Sequence, residues 1–387
     1  MNNMIREASK TGGVPFTEAE INAAKVGGVP FTETEINSAV ESLVALEPEF
    51  SQKADDYTIL LKECAHLSHK NWRLTEFFSD KLSDIIGRSV DSKMFQTLFK
   101  RVLDGGNWNS AMNHRSNQNN KSKQKPWVVL VTGLNGIRKT TSVYQPFFKT
   151  LLKEALVMPT TTNAATIHVD DLPDGNNSFF RQLDYMLATL ANNEFKSLYS
   201  NFSTKPVEEY SKRKQEIFSR YRMLAEMLGI FLMKSCKQNG MNVMVETSGR
   251  DVAMFNYIQY LFPEEDMYNK LVLHFSINDL KHAETSVDFR MLQEMKQGKA
   301  ALEKHDRNDV IEANAGGPYG SKILGGVQSA SDKVWDSIID NSAGVGEGWY
   351  KASFIINGND DPSKWTVHAD NNSRSGSNNI FSFQKIS

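Results

Sequence analysis

Between Pro126 and Thr141 the chain reads Pro-Trp-Val-Val-Leu-Val-Thr-Gly-Leu-Asn-Gly-Ile-Arg-Lys-Thr-Thr, and the residues at its end are of the types that hold phosphate. Lys139 is a cation, Thr140 offers a hydroxyl to a divalent metal, and Gly133 and Gly136 let the backbone bend closely around an anion. The apolar, β-branched run Trp127–Thr132 predicts a buried strand, and Lys139-Thr140-Thr141 predicts the start of a helix. A strand, a glycine bend and a helix N-terminus turn backbone N–H groups toward an anion. The spacing therefore points to a phosphate-binding loop formed by Gly133, Leu134, Asn135, Gly136, Ile137, Arg138, Lys139, Thr140 and Thr141. The competing reading is an ordinary strand–turn–helix with a chance Lys-Thr, and both residue order and residue type favour the loop. One position departs from the usual G-x-x-x-x-G-K-[ST]: Arg138 stands where the second glycine belongs. It either reshapes the loop or turns its side chain outward as an added positive charge.

Elements that would position this loop can be read along the rest of the chain. Ala164–Val169 is expected as a second strand ending in Asp170-Asp171, about thirty residues after Lys139, the size of a βαβ unit. His168 on it is read as a packing residue. Met241–Val245 predicts a third strand, ending in Glu246-Thr247-Ser248-Gly249-Arg250, and Leu271–Ile277 a fourth. Helices are expected over Lys139–Leu156 (interrupted by Pro146), Ser178–Phe195, Glu208–Lys237, Asp251–Leu261 and Ser286–Lys304. The last of these carries Arg290, Lys296, Lys299 and Lys304, with Arg307 just beyond. Alternation of strands and helices predicts an α/β three-layer core around a mostly parallel sheet. Parallel strands gather functional groups at their carboxyl ends, which would bring Asp170 and Glu246 to the loop.

Outside this core, Gly12–Asn22 recurs as Gly27–Asn37, each copy holding a Thr-x-x-Glu capping box behind a Phe. Ser38–Leu103 reads as several helices, including Asp56–His66 and Asp91–Leu103. Asn107–Lys125, polar and nearly without apolar residues, reads as a surface linker. After a glycine-rich stretch, Ala330–Ile339 predicts a helix. Trp349–Ile356 and Trp365–His368 predict two strands joined as an antiparallel addition, and beyond Asn371 a loose end is expected. The expected divisions are a helical region at 1–106, the linker 107–125, the core 126–312 and an extension 313–387. The 44 basic and 46 acidic residues nearly cancel, which argues against nucleic acid as a partner. Cys64 and Cys236 lack metal-ligand spacing and suggest a reducing compartment. With no membrane-spanning run and no signal-peptide core, a cytoplasmic protein is expected.

The loop, the acid after the second strand and the Glu-Thr-Ser-Gly-Arg after the third together resemble the zeta-toxin family of P-loop kinases, over about Trp127–Arg307. The resemblance implies ATP and Mg²⁺ as cofactors, and transfer of the γ-phosphate to a hydroxyl of a small molecule. Several members of that family act on UDP-N-acetylglucosamine. It further implies Lys139 as the phosphate-loop lysine, Thr140 and Glu246 as metal-binding residues, Asp170 as the acid facing the acceptor hydroxyl and Arg290 as a charge-stabilising arginine. Lys299 and Arg307 are further candidates for a cationic lid, and the neighbouring Asp171 competes with Asp170. Two rival readings stand beside this one. A GTPase of the signal-recognition-particle type has a similar loop and third motif, but Asn278-Asp279-Leu280-Lys281 does not match its guanine-selecting sequence. The other is a nucleotide-free scaffold with a degenerate loop, whose N-terminal helical region and β-rich tail would bind a protein partner.

Overall fold

The structure is a computed structural model that describes residues 28–118, 125–156, 169–202, 206–263, 267–277, 279–304, 307–314, 316–356, 365–370 and 380–385. The chain opens with α1 (Glu33–Leu46), α2 (Ala54–Cys64), α3 (Trp72–Ile86), α4 (Lys93–Leu98), α5 (Lys100–Gly105) and α6 (Trp108–Gln118). Next come β1 (Trp127–Gly133), α7 (Lys139–Val143), α8 (Phe148–Leu156) and β2 (Ser178–Phe180). A helical stretch is then made by α9 (Leu183–Leu190), α10 (Asn192–Phe202), α11 (Val207–Arg220) and α12 (Arg222–Gln238). After it come β3 (Asn242–Glu246), α13 (Ala253–Leu261), β4 (Asn269–Ile277), α14 (Leu280–Lys304), α15 (Arg307–Ala313) and α16 (Ser321–Ile339). The last elements are β5 (Tyr350–Ile356), β6 (Trp365–Asp370) and β7 (Ile380–Lys385). Two compact units form, one from residues 1–102, 183–235 and 295–314, the other from 103–182, 236–294 and 315–387. The expected consecutive divisions are thus interleaved along the chain.

In the helical unit, Thr32 and Glu35 close the anticipated capping box: Glu35 N donates to Thr32 Oγ1 at 3.2 Å and Thr32 N to Glu35 Oε2 at 2.7 Å. This satisfies two of the donors that a helix start leaves open. The apolar stripe of α1 buries Ile36, Ala39 and Leu43. The expected single helix Glu208–Lys237 is two, α11 and α12, interrupted at Tyr221, whose φ is −95° and ψ 7°. There the Tyr221 ring meets Phe31 edge-on at 5.3 Å. The first copy of the repeat lies outside the described residues.

The other unit is organised by a sheet of order β2-β3-β1-β4-β5-β7-β6, parallel throughout except for β6, which pairs antiparallel with β7. Every residue of the inner strand β1 is buried, which accounts for a continuous apolar run in place of alternation. Its Val129 and Val131 share a core with Leu152, Phe275, Val287 and Phe354. Pro146 lies between α7 and α8 and separates them, as its missing N–H requires.

Several expectations are corrected here. The second strand is Ser178–Phe180, where a helix start was expected; the helix begins only at Leu183. Three residues are too few to show a period, so Phe179 and Phe180 read equally well as helical core. Of the expected strand Ala164–Val169, only Val169 is described, and it opens a 3₁₀ turn through Asp171; His168 is outside the described residues. Trp108–Gln118, expected as linker, is helical, held by a buried Trp108 edge-on to Phe179 at 5.1 Å. The C-terminal strands do not form an antiparallel pair. β5 joins β4 in parallel, with α16 providing the crossover such pairing needs, and β6 pairs with β7 beyond Asn371.

Hydrogen bonds from Arg220, with further bonds from Thr32, hold the Glu35 carboxyl at about 2, well below the usual 4.5. A depressed carboxylate contributes stability that is complete above its unfolded value and lost as pH falls through its folded one. Attachment of the α1 N-terminus is therefore expected to weaken as pH falls from about 4.5 toward 2. Amide exchange across residues 31–37 against pH measures this, and Arg220→Gln should flatten the dependence; an unchanged profile in that variant would contradict it.

Candidate functional site

The bend after β1 is built from its backbone outward. Gly133 ends the strand at φ 127°, and a Cβ there would collide with Phe275 O on β4. Only glycine allows the strand ends to approach so closely. Gly136 also has a positive φ, 83°. Arg138 then takes φ 60° and ψ 31°, a left-handed conformation, immediately before α7. This is the backbone that a glycine adopts most readily, at a cost of roughly 1–2 kcal/mol for a residue carrying a Cβ. Arg138 is exposed, so of the two expected outcomes its side chain turns outward.

The Lys139 side chain folds back into the bend and is only 3% exposed. Its ammonium donates to Gly133 O at 2.8 Å and Leu134 O at 2.6 Å, and lies 3.2 Å from Glu246 Oε1. The other Glu246 oxygen accepts from Thr140 Oγ1 at 2.6 Å. Glu246 reaches this position because β3 pairs in parallel with β1 in the register Val131↔Glu246, and Thr247 N donates to Val131 O at 2.9 Å. Thr140 and Glu246, 106 residues apart in sequence, thus join Lys139 in one constellation at the carboxyl edge of the sheet. Thr140 and Glu246 are oxygen donors of the kind that Mg²⁺ takes, alongside water and phosphate oxygens. No group of three or more His, Cys, Asp or Glu arranged to hold a metal ion occurs among the described residues.

Arg290 sits on α14, the helix that also packs against the bend through Ala283 and Val287. Its Nη2 donates to Gly317 O at 3.2 Å, while Nε is buried with no hydrogen-bond partner among the described residues. Residues 316–320 form a strap beside the loop. Side chains on Gly316 or Gly317 would collide with Arg290 and Asn135, at 2.5 and 2.6 Å respectively. The far end of the strap is tied down where Asp288 accepts from Ser321 N at 3.1 Å and from Ser321 Oγ at 2.7 Å. Arg250, after β3, lies 4.9 Å from the Tyr319 ring centre.

Asp170 and Asp171 are not at the end of a described sheet strand. They lie in the 3₁₀ turn ahead of β2, where Asp170 is exposed and Asp171 half-buried. The carboxyl end of β2 leads instead into Arg181, buried and stacked on Tyr257 at 5.1 Å. Lys299 and Arg307 belong to the helical unit. Sequence reasoning missed a support behind the loop, at Thr132 and His274. Thr132 Oγ1 and His274 Nδ1 are 3.0 Å apart. The His274 ring is stacked 4.9 Å from Trp335, and its Nε2 lies 3.4 Å from Asp332 Oδ1. A lone His inside an apolar strand carries no such signal.

Fold and site together define a mixed α/β unit built on a mostly parallel sheet, with the glycine bend and Lys139 at the sheet's carboxyl edge. No family model matches the chain, and no curated protein matches it. Among solved structures, a chain from the PezAT chromosomal toxin–antitoxin system of the human pathogen Streptococcus pneumoniae is similar over 60% of this chain and 97% of its own length, at 12% identity and a TM-score of 0.28. No helix among the described residues is long and apolar enough to cross a membrane.

Gly133→Ala is expected to destabilise this unit by about 2 kcal/mol or more, through the positive φ and the collision with Phe275 O. Denaturant unfolding measures it. A loss no larger than that of an exposed helical Gly→Ala control would show that the strand end can yield.

Proposed function

We propose that this protein is an ATP-dependent phosphotransferase that moves the γ-phosphate to a hydroxyl of a small molecule. The observation that carries the reading is the Lys139–Glu246–Thr140 constellation inside a glycine bend at the carboxyl edge of a parallel sheet. In this reading the loop from Gly133 to Thr141 surrounds the phosphates. Lys139 exchanges the carbonyls of Gly133 and Leu134 for outer phosphate oxygens, and Thr140 with Glu246 holds Mg²⁺. When bound, the metal neutralises charge on the phosphate oxygens. Phosphoryl transfer asks mainly for such positioning and for cations around the group in flight. Arg290 contributes one of them, and its buried Nε is a donor without a partner among the described residues.

Asp170 is assigned the acceptor hydroxyl, which it orients or deprotonates. Asp171 shares its turn, and the two are to be separated by substitution. The acceptor class is a hydroxylated metabolite, with nucleotide sugars the first to test because of the zeta-toxin resemblance. A cytoplasmic setting supplies both ATP and such acceptors.

Calorimetry with Mg·ATP on the full chain tests the reading. Binding is expected, with Lys139→Ala abolishing it and GTP giving the weaker signal. Absence of heat with the unaltered chain would sink the proposal in favour of a scaffold. Arg138→Gly adds a second result: tighter binding means that the guanidinium obstructs the phosphates, weaker binding that it helps to hold them. Once an acceptor is found by a labelled-ATP screen of metabolites, Asp170→Asn should lower kcat by about 10²-fold or more with little change in ATP binding. If Asp171→Asn has that effect instead, the roles are exchanged.

A further inference from the structure

The helical unit holds a built recognition site around Arg220. Its guanidinium is bidentate on Glu35, with Nε to Oε1 at 2.7 Å and Nη2 to Oε2 at 2.8 Å. It also donates to the carbonyl oxygens of Val29 and Pro30. Its Cζ lies 4.0 Å from the Phe31 ring centre, and Tyr221 meets the same ring edge-on. Lys62 adds a 2.9 Å pair with Glu33. Charge, stacking and main-chain bonds thus converge on one short segment, Val29–Glu35, in the manner of a receptor holding a peptide.

That segment is the second copy of the repeat. Glycine, Val, Pro, Phe, Thr, both Glu residues, Ile and Asn all recur at Gly12–Asn22. Within these eleven positions the copies differ only at Ala19 against Thr34, and Thr34 is exposed. Every side chain that meets the Arg220 cleft is therefore duplicated, and the one difference falls where nothing is recognised. The likeness ends soon afterwards. Buried Ser42 and Leu43 of α1 correspond to Gly27 and Gly28, so the first copy repeats the cleft-binding sequence without the two side chains that α1 buries further on.

We propose that Gly12–Asn22 is a second ligand for the Arg220 cleft, able to replace Gly27–Asn37 within the same chain. The copies are offset by 15 residues, which keeps the first at a high effective concentration near the cleft. The second copy holds the site by default, because α1 adds the packing of Ser42 and Leu43 that the first copy cannot supply. Release of the second copy hands the cleft to the first. The cleft is thus a docking surface for a peptide of the form Val-Pro-Phe-Thr-x-x-Glu-Ile-Asn, with two such peptides attached.

Hydrogen exchange on the full chain, read by mass spectrometry, tests this. Phe31→Ala with Glu35→Gln frees the cleft, and amides of residues 17–22 are then expected to gain about tenfold protection. Adding Phe16→Ala and Glu20→Gln should remove that gain, whereas these two alone should leave residues 33–37 unchanged. No gain after the first pair overturns the proposal. As a measure independent of tethering, a synthetic peptide of residues 10–25 is added to the fourfold variant. It should raise the melting temperature, and the same peptide with Phe16→Ala should not; no shift with the unaltered peptide also overturns it.

Discussion

A buried ammonium group governs the shape of the site. Taking a lysine out of water is costly unless the protein replaces its hydration, and Lys139 is solvated by two main-chain carbonyls and one carboxylate. The carbonyls belong to Gly133 and Leu134, so the charge draws the bend inward around itself. The carboxylate belongs to Glu246, so the same charge links the loop to the end of β3. Thr140 adds a second link to that carboxylate, and the loop, the helix start and the strand end behave as one piece.

Parallel pairing makes this possible. Register alone brings Glu246 beside Val131, and neither residue need be near the other in sequence. The neighbouring strand supplies rigidity: Phe275 closes on Gly133, and His274 joins Thr132 to α16 through Trp335 and Asp332. The bend is therefore held from behind by side chains of β4 and α16, the kind of support that precise positioning requires.

How much could be read from sequence depends on how local each signal is. The loop was legible because its glycines, Lys139 and Thr140 act through neighbours a few residues away, and the capping box at Thr32 for the same reason. Glu246 was legible because a strand end is a position that parallel sheets use. β2 was not, since Ser178–Phe180 has no period and its place is set by pairing with β3, 64 residues later by Ser178↔Asn242. Asp170 was assigned on the premise of a strand ending there, and the described turn lies ahead of β2 instead. α6 hid for a different reason: its composition is polar, and it is held by contacts far along the chain, among them Trp108 with Phe179 and Ser110 Oγ donating to Asn176 O. The His274 support was invisible because stacking and hydrogen bonding across β1, β4 and α16 leave no trace in spacing.

Arg138 carries a Cβ in a backbone conformation that favours glycine. The residue adopts the left-handed conformation that glycine takes freely, and the cost of roughly 1–2 kcal/mol is small beside a domain stability of about 5–15 kcal/mol. Its side chain points to solvent, so the substitution changes charge next to the bend rather than the path of the chain. The two adjacent cations then act in different media. Lys139 works at close range from a buried position, where salt screens little. Arg138 acts through water, where attraction fades over a Debye length of about 8–10 Å. An anion entering the loop would therefore feel Arg138 as a salt-sensitive approach field and Lys139 as the contact that fixes its position.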